Sequence, residues 1–317
     1  MSLNREPVPA WVSKLAVGWL VAMGSWASPC MAQRRADPME ALPLMFEKLG
    51  EQSAQFMPGM FSELTAQQLA EIERVSISPQ EEAQFGAQVL KNYEASLKSQ
   101  NLKIIRDSRQ SSLVKYLSQL VKEIHPLMAN AKRYRQIDVA LVETETIDAY
   151  SIPGGHLIFT SGLVNNFQTE AELVGVIGHE LSHLDHGHQL LQLKQSKSMG
   201  KVASFNTGML WVSTLAKPFR PEFESQADSD AVRWMLAAGY DPRELANLLA
   251  RWDARQDQNA PWTKMLPSFA RSHPDSGRRA ESVRQQFVAQ KGKAGRLVVG
   301  RENLIQRVPA SQRKFPE

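Results

Sequence analysis

The stretch that most limits how this chain can fold is His179-Glu180-Leu181-Ser182-His183, preceded by the apolar run Leu173-Val174-Gly175-Val176-Ile177-Gly178. Helical geometry puts residues four apart on one face, so both imidazoles reach one cation. Glu180 is then placed beside the open coordination position without being a ligand, where a carboxylate serves as general base toward a water. Thr169-Glu170-Ala171-Glu172 is a capping box and starts the helix. Leu173, Val174, Val176, Ile177, Leu181 and Leu184 make that helix apolar on most sides, which predicts a central, buried position. Three polar side chains on such a helix are costly unless a metal and supporting hydrogen bonds satisfy them. His186 and His188 follow as the helix ends at Gly187, and they read as surface or structural residues, not ligands.

A third ligand has to come from elsewhere. A metzincin would carry Gly at 186 and His at 189, whereas this chain has His186 and Gln189, so that class is excluded. The next glutamates are Glu222 and Glu224, in Glu222-Phe-Glu-Ser-Gln-Ala-Asp228. Glu224 and Asp228 are one helical turn apart and share a face, while Glu222 points nearly opposite. A carboxylate ligand with a second carboxylate one turn on can bind the metal and orient a ligating histidine through its free ring N–H. Glu224 is therefore read as ligand and Asp228 as its support; the bland alternative is a solvated acidic helix face. Further on, Ser272-His273-Pro274 precedes a helix expected over 275–290, and His273 can enter the site from that turn.

The scaffold around these residues is legible in outline. Ser78-Pro79-Gln80-Glu81 is a capping box with proline in the first turn, which predicts a helix from Pro79 to about Leu97. Leu113, Leu117, Leu120, Val121 and Ile124 recur at helical spacing, and Asp241-Pro242-Arg243-Glu244 starts another helix. Ile137, Val139 and Leu141 alternate, predicting a strand with one face buried. Pro153-Gly154-Gly155 is a turn between two short strands. It is either a plain hairpin or, with Gly154, Gly155 and His156, an exposed strand edge that pairs with an extended peptide lying across the metal.

The chain has 317 residues, 43% hydrophobic, enough for one main domain with tails. A net charge of +4 spread over 37 basic and 33 acidic residues is too mild to imply nucleic acid. Arg5 and Lys14, the apolar run Leu15 to Ala27 and the small residues after it read as a secretory leader over 1–32, cut after Ala32 or Ala27. The run is short of the ~20 residues a spanning helix needs, so no integral membrane domain is expected after cleavage. Cys30 is the single cysteine, and Ala27-Ser28-Pro29 before it departs from a lipid-attachment box. Cleavage after Ala32 leaves no thiolate, so the metal must be held by His and carboxylate. Residues 33–77 read as a Met- and Phe-rich arm with short helices, 78–290 as the main domain and 291–317 as a basic tail. Residues 199–221, apolar and interrupted, read as a connecting core helix or as a flap beside the cleft.

These features together resemble the gluzincin metallopeptidase family of the CAAX prenyl proteases and their HtpX-, BepA- and LoiP-like relatives. The likeness runs from about Ser78 to Gln290. It rests on Pro153-Gly154-Gly155 followed by Thr160-Ser161-Gly162-Leu163, on Gly178-His179-Glu180-Leu181-Ser182-His183, on Glu224-Ser225-Gln226-Ala227-Asp228, and on Ser272-His273-Pro274 with Arg278 or Arg279 after it. The resemblance implies an α+β, mostly helical zincin-like domain with a small antiparallel sheet whose edge strand borders the cleft. It implies one Zn2+ at His179, His183 and Glu224, Glu180 as base, Asp228 as support, and substrate added to the edge strand around His156. His273 falls where the family's histidine approaches the metal, to regulate access or stabilise the transition state. Asp148 stands where the family often has Asn. With the leader, the resemblance implies a periplasmic endopeptidase acting on unfolded or misassembled proteins, with an outer-membrane or envelope partner. The rival is a chaperone or adaptor that keeps the metal site in a latent form.

Overall fold

The computed structural model describes residues 65–198, 219–254, 273–290 and 295–316. The expected leader, the arm as far as residue 64, and the connecting segment up to 218 lie outside them. At the start of the described chain, Thr65 and Gln68 form a reciprocal cap for α1 (Ala66–Glu73). Ser78 and Glu81 do the same for α2 (Pro79–Ser99), the Glu81 N–H donating to Ser78 Oγ at 3.2 Å and the Ser78 N–H to Glu81 Oε2 at 2.8 Å. Then follow β1 (Lys103–Ile105), α3 (Ser112–Ile124), β2 (Asp138–Glu143), β3 (Ala149–Ile152) and β4 (His156–Thr160).

The strands form one sheet of order β1-β2-β4-β3. It is mixed, not wholly antiparallel: β1 runs antiparallel to β2 and β3 to β4, but β2 and β4 are parallel. The cause is that the β3–β4 hairpin docks through its second strand, inserting β4 beside β2. The strand expected to bury one face buries both. Val139 and Leu141 join the core beneath α3, while Ala140 and Val142 pack toward α2 with Val89, Tyr93 and Leu97. A strand covered on both sides gains from apolar residues at every position, which is what Val139-Ala140-Leu141-Val142 supplies.

His156 also stands elsewhere than expected. It opens β4, an inner strand, opposite Asp138 of β2 on one side and Ile152 of β3 on the other. Both flanks of the strand are thus occupied, and the terminal strand is β3. Gly154 and Gly155 adopt φ of 88° and 89°; the first lies against this chain's own helix α2, where a Cβ would meet the Ala83 Cα at 3.4 Å, and the second against Tyr134. The Gly154 N–H donates to Glu82 Oε1 at 3.1 Å, and the Gly155 carbonyl accepts from the Asp138 N–H at 2.8 Å. The backbone groups of this turn therefore serve the fold.

The remaining helices are α4 (Ser161–Asn166), α5 (Glu170–His186), α6 (Leu191–Ser198), α7 (Pro221–Ala238), α8 (Arg243–Ala254), α9 (Ser276–Gln290) and α10 (Arg301–Gln306). Helix α5 is the axis, with every residue from Glu170 to Asp185 buried. Three of its four acids are hydrogen-bonded. Glu170 accepts from Tyr116 Oη at 2.5 Å, Tyr240 Oη at 2.8 Å and the Ala310 N–H at 2.8 Å. Arg251 forks onto Glu172 at 2.6 and 2.9 Å, and Asp185 accepts from the Ala129 and Asn130 N–H groups at 2.8 and 2.7 Å. The segment read from sequence as a basic tail holds α5 as well: the Glu170 and Ala171 N–H groups donate to the Gly300 and Val299 carbonyls.

Gly86 shows how tightly α2 seats the β3–β4 turn, since a Cβ there would lie 1.7 Å from the Pro153 carbonyl oxygen. Both partners are backbone, so neither rotates away. Gly86→Ala is expected to destabilise the fold by about 3 kcal/mol, read as a lower urea midpoint without a change of slope.

Candidate metal centre

Helices α5 and α7 cross where small residues allow it: a Cβ at Gly178 would meet the Ala231 Cα at 3.2 Å. That approach carries the buried Glu224 and Asp228 of α7 against the histidine face of α5. His179 Nδ1 lies 3.0 Å from Asp228 Oδ1, and its Nε2 lies 3.1 Å from His183 Nε2 and 3.5 Å from Glu224 Oε2. His183 Nε2 is 3.4 Å from Glu224 Oε1. From the turn before α9, His273 brings Nδ1 to 3.1 Å from His179 Nε2 and 2.9 Å from Glu224 Oε1. His179, His183, Glu224 and His273 thus offer ligand atoms all within 4.8 Å of one another. Glu222, by contrast, is exposed on α7.

The arrangement fits a cation on its own chemistry. His179 and His183 each engage another side chain through Nδ1, so their Nε2 lone pairs turn toward each other and toward a carboxylate. Such a convergence repels itself unless a positive charge sits among the donors. Burial and the nearby Arg279 oppose charge on His179, yet the carboxylates of Glu224 and Asp228 prevail and push its pKa up to about 9. Burial holds His183 well below the ordinary imidazole range. Glu224 stays well below the carboxylate range in spite of burial, because His273 and Arg279 stand beside it. An N- and O-donor set without thiolate is what zinc takes in hydrolytic sites.

Glu180 is the exception among the acids of α5. Both its oxygens are buried without a hydrogen bond, and His273 Nε2 stands 3.4 Å away. A buried carboxylate kept without a partner costs folding free energy, and functional sites are where such costs are tolerated.

Sequence reasoning missed Arg279 as an organiser of the site. Its guanidinium forks onto Asp228, Nε to Oδ2 and Nη2 to Oδ1 at 2.8 Å each, while Nη1 lies 2.7 Å from Glu224 Oε2 and 3.1 Å from the His273 carbonyl oxygen. Despite burial, Asp228 is held below its ordinary pKa by this contact. The available signal was position: six residues after His273, one turn into α9. Also missed was His188, which lies beneath His183 with Nδ1 to Nδ1 at 2.9 Å. The helix does end at Gly187, but a left-handed φ of 67° turns the chain back under it. Phe219 stacks on the ring of His183, centroids 3.8 Å apart. Gly154, Gly155 and His156 are not drawn into the cluster, and His156 pairs instead with Asp138 at 3.2 Å.

A mostly helical α+β domain with two histidines and a glutamate converging from crossing helices defines a metallopeptidase of the gluzincin class. Residues 114–286, more than half of the chain, match Peptidase family M48, and the chain belongs to that family. It is 28% identical over 127 residues to the mitochondrial metalloendopeptidase OMA1 of Arabidopsis thaliana, covering 33% of this chain and 24% of that one. It is 26% identical over 207 residues to the beta-barrel assembly-enhancing protease of Yersinia pestis, covering 57% and 42%. With the metalloprotease YcaL of Escherichia coli it shares 22% over 201 residues, covering 58% and 74%. The matches span about a quarter to a half of the length of the first of these curated relatives. Among the described residues no helix is long and apolar enough to cross a membrane.

The cluster makes a direct prediction for metal content measured by mass spectrometry of the purified chain. Wild type is expected to carry about one zinc per chain, His183→Ala and Glu224→Ala essentially none, and Glu180→Gln the wild-type amount. Loss of metal in the Gln variant would place Glu180 among the ligands.

Proposed function

We propose that this chain is a zinc-dependent endopeptidase of the bacterial cell envelope that degrades unfolded or misassembled envelope proteins. The observation that carries the reading is Glu180, a buried carboxylate without a hydrogen bond beside a convergent His179, His183 and Glu224. Those three residues would hold a zinc ion, which would supply Lewis acidity toward the scissile carbonyl and the attacking water. Glu180 accepts that water's proton and passes it to the leaving amine. Asp228, itself gripped by Arg279, fixes the orientation of His179 through Nδ1. His273, between Glu180 and Glu224, is positioned to donate to the developing oxyanion. The extended substrate adds to the terminal strand β3, which packs against α5, in place of the turn around His156.

The envelope assignment draws on the leader-like residues 1–32 and on similarity to a protease whose name refers to β-barrel assembly. An outer-membrane or envelope partner follows from the same similarity.

A second reading is favoured by one observation. His273 stands inside the ligand cluster, and His179, His183, Glu224 and His273 are each no more than 2% exposed. Such burial of the ligand cluster is what a latent protease, or a chaperone that retains the metal, would have.

Cleavage of unfolded casein separates the readings. Glu180→Gln is expected to cut the rate by about 10²–10⁴ with metal retained, and chelation to abolish it reversibly. Equal cleavage by mutant and wild type would sink the proposal. His273→Ala is expected to lower activity if the histidine serves the transition state, and to raise it if the histidine holds the site shut.

A further inference from the structure

His183 is supported differently from its partner. His179 leans on a carboxylate, whereas His183 Nδ1 meets another imidazole, the Nδ1 of His188, at 2.9 Å. From there contacts continue outward: His188 Nε2 to Gln226 Oε1 at 3.1 Å, Gln226 Nε2 to His186 Nδ1 at 3.3 Å, and His186 Nε2 to Asp230 Oδ2 at 2.8 Å.

A neutral imidazole has one donor and one acceptor nitrogen, and a primary amide has one donor end and one acceptor end. Such a chain therefore runs in a single direction. Asp230 sets it, because Oδ2 also accepts from Ser182 Oγ at 2.9 Å and Oδ1 from Arg233 at 2.6 Å, making this carboxylate an acceptor throughout. His186 then donates through Nε2 and accepts at Nδ1. Gln226 gives its amide hydrogen to His186 and its oxygen to His188. His188 donates through Nε2 and has its Nδ1 lone pair left for His183. Hence His183 carries its proton on Nδ1 and presents an unprotonated Nε2 to Glu224 and His179. His188 is itself buried, and Phe223 stacks on it with centroids 4.1 Å apart and planes within 6°.

We infer that His188 is a positioning residue for the metal centre: turned back beneath His183 by Gly187, it holds that ligand in its metal-binding tautomer, and Gln226, His186 and Asp230 fix its own. The inference rests on His183 being a ligand. It assigns a role to the two histidines just beyond the motif, neither of which need touch the metal.

The test uses the full chain and zinc alone, with affinity read by competition against a chromophoric chelator. His188→Leu keeps the volume and removes the acceptor. His188→Asn puts Oδ1 where Nδ1 stood and restores it. The Leu variant is expected to bind zinc about 10–100-fold more weakly than wild type, a loss typical of removing a ligand's hydrogen-bond partner. The Asn variant is expected within about threefold of wild type, with the two metal-free variants melting together. In ¹⁵N spectra of the zinc-loaded wild type, His188 is expected as the Nε2–H tautomer. The inference is overturned if Leu binds as tightly as wild type while His183→Ala does not bind, if Asn fails as badly as Leu, or if His188 is the Nδ1–H form. If wild type takes no zinc, the reading of the centre falls and this inference with it.

Discussion

The rest of the structure depends on how closely α5 and α7 cross at Gly178 and Ala231. That contact lets an aspartate and a glutamate of one helix reach the histidines of the other. Bringing these groups together in a buried place sets desolvation against Coulomb attraction, and the outcome depends on every charge having an opposite within reach. Arg279 supplies the counter-charge for Asp228 and Glu224 at once. Because it also binds the His273 carbonyl, one guanidinium ties α9, its preceding turn and α7 into the same site.

The surrounding architecture serves to hold α5. One core packs α3, α8 and α9 around it and against one sheet face, while α2 covers the other face. The buried acids of α5 are each answered from a different part of the chain: Glu170 from α3 and the C-terminal segment, Glu172 from α8, Asp185 from the turns after α3. This leaves Glu180 as the acid of the helix whose carboxylate the fold does not satisfy. Its two oxygens lack the hydrogen bonds that every other acid of this helix receives.

What could be read in advance was local. Four-residue spacing of His179 and His183, the shared face of Glu224 and Asp228, and the caps at Ser78 and Thr169 all depend on helix geometry, which is the same wherever a helix lies. His156 went astray because a Pro-Gly-Gly turn announces a hairpin but not which of its strands will face outward. Strand order is settled by docking, and the β3–β4 hairpin docks through β4. His188 was set aside because Gly187 marks a helix end, and a helix end alone does not say that the chain folds back. Arg279 was legible as part of a motif, but its grip on two carboxylates needed α9 to be placed.

By itself, the amino-acid sequence determined the long helices, the residues each presents on one face, and the class of chemistry those residues permit. Period and capping act over a turn or two, so they survive without knowledge of the whole. The tertiary structure alone decided which strand became the terminal one, which buried charge went unanswered, and which second neighbours steady the histidines. Those outcomes follow from packing between segments as far apart as Tyr116 and Glu170, or His179 and Arg279. At such separations, desolvation and shape select the partner, and no local pattern records the choice.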